Sequence, residues 1–355
     1  MPVKTNSKTS TAIKMSFEPL NMKTAHPFGI SYGTSSDTNN ILVRLKWEGL
    51  EGLGEAAPAH YHSESVETVT AVLGHWQDSD ILGNSPFAIQ EVCWRLHRSV
   101  AGNNSAKAAI EMALQDLMGK ALGKPLYQIL GLDGLSLPFT DFTIGMDTLE
   151  VIEKKTRLAV EAGYKTLKVK QGTSFDRDII KTVRKVAPNM PLRVDANGAW
   201  TPKRAIEMSH FLADNGVQFI EQPLPKFALA EDFRFVRERS PLPIFADESI
   251  CVAGDVARLA GCIDGVVVKL AKTGGISEAL RVIHTARAHG LSIMFGCMIE
   301  SSVGVTAAAH LASLVDHLDL DGSLLLAHDP YCGVKFDRGE LTLPELPGLG
   351  VVLRK

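Results

Sequence analysis

Three apolar runs in the middle of the chain each end in a carboxylate, and the carboxylates are evenly spaced. Leu192-Arg193-Val194-Asp195, Phe219-Ile220-Glu221 and Ile244-Phe245-Ala246-Asp247 place Asp195, Glu221 and Asp247 at successive steps of 26 residues. That step is the length of one strand–helix unit, so the acids occupy corresponding places in consecutive units. One unit earlier, Thr166-Leu167-Lys168-Val169-Lys170-Gln171-Gly172 carries two lysines two residues apart in a run of β-formers. Side chains alternate along a strand, so Lys168 and Lys170 point the same way. Two ammonium groups on one face of a buried strand are costly unless something anionic faces them. The repeat therefore predicts one site shared by several strand ends.

The rest of the chain fits that reading. Apolar runs at Phe139–Ile144, Thr166–Lys170, Leu192–Asp195, Phe219–Glu221, Ile244–Asp247, Gly265–Leu270, Ser292–Phe295 and Leu318–Leu320 read as strands. Amphipathic stretches such as Thr148–Glu161, Asp176–Val186, Pro202–Asn215 and Ile276–Ala288 read as helices between them. Eight strands alternating with helices predict an α/β fold, a (β/α)8-type barrel, whose active site lies at the C-terminal ends of the strands. Before it, Thr11–Leu20, Asn40–Trp47 and Gly52–Pro58 read as strands, Lys23–Asn40 as a long loop, Ser63–Leu96 as mostly helical and Ala106–Gly123 as a helix with a Gly stop. The expected domains are an N-terminal α+β capping domain over residues 1–120, the barrel over 121–330, and a C-terminal segment over 331–355 that returns to the first domain.

Composition narrows the function. With 355 residues, 45% hydrophobic, 22% charged and a net charge of −3, the chain has the makeup of a globular protein with a large core. Nothing in it suggests a nucleic-acid or membrane surface. No apolar run reaches the ~18 residues that span a bilayer. The polar stretch Met1–Thr11 lacks the apolar core of a secretory signal. The five scattered cysteines show no metal spacing, which fits a reduced, cytoplasmic setting.

The chemistry follows from the residue types. Three converging carboxylates repel one another, and a hard divalent cation relieves the repulsion. Oxygen-only ligands favour Mg²⁺. Such a cation can polarise a substrate carboxylate and ease removal of the neighbouring proton. Val266-Val267-Val268-Lys269-Leu270-Ala271-Lys272-Thr273-Gly274-Gly275 brings a further lysine to the sixth strand end. Alternation favours Lys269, with Lys272 the runner-up. A lysine in a cation-crowded site is expected to have a depressed pKa and to serve as general base. Lysines on opposite sides of a substrate suit racemisation or epimerisation. The bland readings are strand-end acids as helix caps, Lys-x-Lys as a solvated face, and Gly274-Gly275 as a phosphate cradle.

These residues resemble the enolase superfamily, in its muconate-lactonizing-enzyme subgroup. Lys168-Val169-Lys170, Asp195-Ala196-Asn197, Glu221-Gln222-Pro223, Asp247-Glu248-Ser249 and Lys269 match that subgroup's motifs in order, and the resemblance covers nearly the whole chain. It implies that Asp195, Glu221 and Asp247 bind Mg²⁺, that Lys170 and Lys269 are the acid/base pair, and that Lys168 stabilises the enolate. Asp319 and Asp321 in His317-Leu318-Asp319-Leu320-Asp321-Gly322 resemble the pair by which dipeptide epimerases hold a substrate ammonium group. Gly296-Cys297-Met298-Ile299-Glu300-Ser301 is similar to the same enzymes and adds Met298 and Glu300 as substrate contacts. In the first-domain loop, where epimerases of Ala-Glu place a basic residue, Lys23 to Thr34 has no arginine; His26, Phe28 and Ile30 suggest a more apolar pocket. The resemblance thus implies a Mg²⁺-dependent dipeptide epimerase, a homo-oligomer as such barrels often are. An o-succinylbenzoate synthase or N-succinylamino acid racemase, and a muconate cycloisomerase, remain as alternatives, as does a non-catalytic binding barrel.

Overall fold

The computed structural model describes residues 12–355; the polar stretch at the start of the chain lies outside them. Three antiparallel strands come first, β1 (Lys14–Ile30), β2 (Gly33–Trp47) and β3 (Leu50–Ala56). Helices α1 (Val66–Gln77), α2 (Ile89–Ser99) and α3 (Asn104–Leu122) follow, then the single turn α4 (Leu126–Ile129). The region expected as a loop, Lys23–Asn40, is instead the far end of a β1–β2 hairpin. Its pairing shifts register between Lys23 and Phe28, at the Ala25-His26-Pro27 stretch, then resumes to a turn before Gly33. Pro27 and the glycines interrupt the alternation without ending the ladder, because the chain bulges and re-pairs.

Helix α3 is buried along most of its length, and it joins the two domains. It lies on β3 closely enough that a Cβ at Gly54 would stand 1.9 Å from the Ala109 carbonyl oxygen. Only glycine permits that approach. Ser65 opens α1 with a reciprocal cap to Thr68.

The barrel strands are β4 (Phe142–Ile144), β5 (Leu167–Lys170), β6 (Leu192–Asp195), β7 (Val217–Glu221), β8 (Ile244–Ala246), β9 (Gly265–Val268), β10 (Ser292–Gly296) and β11 (His317–Asp319). Each pairs in parallel with the next, and a bridge between Thr140 and Leu318 brings the last strand back to the first. Around them run α5 (Leu149–Glu161), α6 (Asp176–Val186), α7 (Pro202–Asp214), α8 (Ala230–Arg237), α9 (Ala253–Leu259), the turn α10 (Leu270–Thr273), α11 (Ile276–Ala288) and α12 (Ser302–Ala309). Short strands β12 (Tyr331–Cys332), β13 (Lys335–Asp337), β14 (Glu340–Thr342) and β15 (Val352–Leu353) close the chain. The final segment reaches the first domain, where the Leu349 amide donates to Asp116 of α3 at 2.8 Å. No helix among the described residues is long and apolar enough to cross a membrane.

The barrel floor is packed by Phe219, Phe245, Val267 and Met294. Arg193 lies beside it, its guanidinium 5.5 Å from the Phe219 ring and donating to Asp141 and to the Leu318 carbonyl. The floor is closed, so chemistry is confined to the mouth.

Two carboxylates from the capping domain fix barrel helices. Glu55 of β3 accepts from the Ser301 and Gly304 amides and the Ser301 hydroxyl, at the start of α12. Glu111 of α3 accepts from the Ser277 amide and hydroxyl at the start of α11. The Gly274-Gly275 turn is therefore no phosphate cradle. Its anion is internal: a Cβ at Gly275 would meet the Glu111 carboxylate at 2.0 Å.

Candidate active site

Parallel pairing explains why the acids converge. Lys170 pairs with Asp195, Asp195 with Glu221, and Glu221 with Phe245, so Asp247 follows its strand end at nearly the same height. One carboxylate oxygen from each of Asp195, Glu221 and Asp247 lies within 4.8 Å of the others, and all three residues are buried. A buried, oxygen-only set of that spacing matches what a hard divalent cation requires.

Four lysines surround the triad. Lys168, fully buried, lies 2.7 Å and 2.9 Å from the two Glu221 oxygens, 3.2 Å from Asp195 and 2.7 Å from Asp319. Lys170 donates to Asp195 at 2.6 Å, and Lys269 to Asp247 at 2.8 Å. Lys272 also bonds the Asp247 carboxylate, and donates to the Asp247 carbonyl at 2.5 Å and the Val267 carbonyl at 3.0 Å. Lys170 and Lys269 line the cavity; Lys272 does not. One turn of α10 carries Lys272 back beneath the strand end.

The charges are interlocked. Burial alone would raise Asp247, but Lys269 and Lys272 hold its carboxyl well below the usual range. Burial and the neighbouring Asp195 push Glu221 well above it, despite Lys168. The expected depression of a base lysine is not found at Lys269. Burial works in that direction, but Asp247 outweighs it and holds the ammonium well above the usual lysine value. The direct pairing with Asp247 at 2.8 Å reverses the sign, against both burial and the neighbouring Lys168.

Opposite the triad, Asp319 and Asp321 line the cavity from the end of β11. Asp319 is engaged by Lys168 and by the Thr143 hydroxyl at 3.3 Å. Asp321 accepts from the Thr143 amide at 2.7 Å, and burial together with Asp319 pushes its carboxyl up to about 7.

The cavity, about 550 Å³, lies between the barrel mouth and the capping domain. The hairpin tip reaches down onto the barrel: the Ser31 hydroxyl donates to the Asn197 carbonyl at 2.8 Å. Phe28, Ile30 and Tyr32 line the cavity from the hairpin, and Met298 from the loop after β10. Two expected contacts are not brought there. His26 is exposed on the bulged part of β1 and does not line the cavity. Glu300 is buried behind Met298, accepting from the Met298 amide at 3.0 Å, and burial with Glu55 nearby pushes it up to about 8.

Other residues carry weight that sequence reading did not assign. Tyr61 stacks on Tyr32 with ring centroids 4.6 Å apart and donates to the Met298 sulfur at 3.3 Å. Gln222 accepts from the Asp247 backbone amide at 2.8 Å and so fixes the backbone that carries that carboxylate. Asn197 donates to Asp195 and Glu248. Gln222 and Asn197 both hold positive φ, 38° and 42°, a strained conformation for residues with a Cβ. Their sequence signal was their place within the Asp195-Ala196-Asn197 and Glu221-Gln222-Pro223 motifs, which assigned them no role.

Comparison with known proteins agrees with this geometry. Residues 13–131 match the N-terminal domain model of the mandelate racemase / muconate lactonizing enzyme family. Residues 150–355 match the enolase C-terminal domain-like model. The chain is 39% identical over 341 residues to an L-Ala-D/L-Glu epimerase of Bacteroides thetaiotaomicron, spanning 96% of this chain and 88% of the relative. It is 38% identical over 350 residues to a hydrophobic dipeptide epimerase of Flavobacteria bacterium strain MS024-2A, spanning 97% and 99%. Its fold superposes with a TM-score of 0.91 on the crystal structure of a dipeptide epimerase from Enterococcus faecalis complexed with Mg and the dipeptide L-Leu-L-Tyr, at 34% identity, covering 96% of this chain and 99% of that one.

Proposed function

This chain belongs to the mandelate racemase / muconate lactonizing enzyme family of the enolase superfamily, and from that premise we propose that it is a Mg²⁺-dependent dipeptide epimerase acting at the α-carbon of the C-terminal residue. The observation that carries this reading is the pair of cavity-lining lysines on opposite walls. Lys170 ends β5 and Lys269 follows β9, four strands apart in the eight-stranded barrel.

In this reading one of the two lysines, in its neutral form, takes the α-proton; Lys269 would reach that form only where a cation held by the triad offsets the pull of Asp247 on its ammonium. The C–H bond breaks, its electron pair moves into the adjoining carboxylate, and an enolate forms. The other lysine, as ammonium, returns a proton to the opposite face and becomes neutral. The configuration inverts with no net change in protons. Asp195, Glu221 and Asp247 would hold the Mg²⁺, whose positive charge lowers the cost of proton loss beside a carboxylate. Lys168 keeps a permanent positive charge beneath the place where negative charge accumulates. Asp319 and Asp321 hold the dipeptide's ammonium group, which needs an anionic partner once desolvated. The closed apolar floor excludes water from below. The homo-oligomeric state and cytoplasmic setting belong to the same proposal, and light scattering tests the first.

The test is α-proton exchange. Incubation with Mg²⁺ and L,L-dipeptides in D₂O is expected to add one mass unit to accepted substrates, and EDTA is expected to stop it. Exchange confined to N-succinyl amino acids, with none on any dipeptide, would turn the assignment to a succinylamino acid racemase. The Asp319/Asp321 pair argues against that outcome, because succinylation leaves those substrates no α-ammonium group.

A further inference from the structure

The cavity wall also bears on which dipeptide is turned over, an argument that rests on the epimerase reading. Around the reacting α-carbon, four directions are allotted by the chain's own groups. The hydrogen faces Lys170 or Lys269. The carboxylate faces the triad at the ends of β6 to β8. The peptide nitrogen leads toward Asp319 and Asp321 on β11. The floor is filled by Phe219, Phe245, Val267 and Met294. The side chain can leave only upward, against the capping domain.

That wall carries an apolar and aromatic patch. Phe28, Ile30 and Tyr32 come from the hairpin, Tyr61 from the turn after β3, and Met298 from the barrel. The stack of Tyr61 on Tyr32 and the Tyr61–Met298 contact hold it in shape. His60 stands edge-on to both tyrosine rings, at 5.9 Å and 5.4 Å. The two lysines in the lining are each already paired with a triad acid. The remaining charged groups of the lining are acidic: Asp37, Glu64, Glu67, Asp319 and Asp321. Glu64 is itself occupied by the Asn104 and Ser105 amides. A carboxylate on the substrate side chain would lie unpaired among like charges, whereas an alkyl or aryl group would meet matching surface.

We propose that the residue epimerised carries an apolar side chain, aliphatic or aromatic, seated against Phe28, Ile30, Tyr32, Tyr61 and Met298, and that acidic side chains are rejected. The experiment compares initial deuterium uptake at the C-terminal α-carbon of L-Ala-L-Leu, L-Ala-L-Phe, L-Ala-L-Glu and L-Ala-L-Lys with wild-type protein and Mg²⁺. Leu and Phe are expected to exceed Glu on the order of 100-fold or more in kcat/KM. Equal or faster exchange on Ala-Glu or Ala-Lys overturns the pocket assignment and leaves the epimerase reading standing. Absence of exchange on all four overturns both. Ile30→Arg supplies the missing cation and is expected to raise the Glu/Leu ratio at least tenfold; a folded variant with an unchanged ratio overturns the placement of the side chain. Phe28→Ala gives a second arm, with KM for Ala-Phe expected to rise more than kcat falls.

Discussion

Lys269 and Lys272 are three residues apart and end in different environments, one facing the cavity and one folded under the strand end. Asp321 and Glu300 are both buried and both displaced upward, yet their consequences differ. Asp321 faces the cavity at about 7, so it is mostly protonated at pH 6 and mostly ionised at pH 8. Because the anion is the form that receives an ammonium group, kcat/KM for dipeptides is expected to rise about tenfold across that interval. Asp321→Asn is expected to lose at least 100-fold in kcat/KM and to flatten the rise, as a pH–rate profile would read. Glu300 has no cavity role, and its raised value of about 8 is a stability matter. Above its unfolded value the unfolded chain ionises first, so its contribution is lost as pH rises from about 4.5 toward 8. Glu300→Gln keeps an acceptor for the Met298 amide and removes the titration. Relative to wild type, the variant is expected to gain on the order of 3 kcal/mol between pH 5 and pH 8.5 in urea unfolding. The triad was legible in sequence because strand ends recur at a fixed step. The side chains above it were not: the Tyr32–Tyr61 stack joins segments that meet only in three dimensions. His26 was misplaced because a bulge turns it outward.

At the level of elements, the hairpin and the cross-domain caps show where periodicity stops informing. The barrel strands and most helices fall within a few residues of where alternation and 3.6-residue spacing put them, and Gly123 ends α3 in the left-handed conformation expected of a helix stop. The stretch Lys23–Asn40 read as loop because composition reports turn formers and not backbone pairing. Glu55 and Glu111 gave no signal at all, since their partners lie 246 and 166 residues away. Removing such a cap leaves buried amides without an acceptor. Glu55→Ala is therefore expected to lower unfolding stability by about 2–4 kcal/mol in a denaturant titration. It is also expected to weaken substrate binding, because the α12 start that Glu55 fixes adjoins the Met298 loop.

Over the whole molecule, His310 links three distant segments. It accepts from the Tyr127 amide of α4 and contacts the Leu349 carbonyl near the chain end. Burial pushes its imidazole down to about 4. Below about pH 6.5 the unfolded chain takes up a proton that the folded one refuses until pH 4, so this contribution to stability is lost as pH falls through that window. His310→Gln is expected to be less stable than wild type at pH 7, with the deficit shrinking by on the order of 2–3 kcal/mol by pH 4.5. Calorimetry of the two proteins side by side reads that difference. The barrel and its cap were legible from the repeat and the family motifs, but the ties between distant segments were not, because single polar residues such as His310 and Asp116 make them. The hairpin over the mouth has one more consequence. On the proposed reading it supplies much of the wall met by the substrate side chain and none of the groups that move the proton. On that reading the hairpin's share of side-chain choice and the proton chemistry are encoded in separate stretches of the gene. A library randomised at Phe28, Ile30 and Tyr32 alone would then search side-chain preference and leave Lys170, Lys269 and the acidic triad untouched.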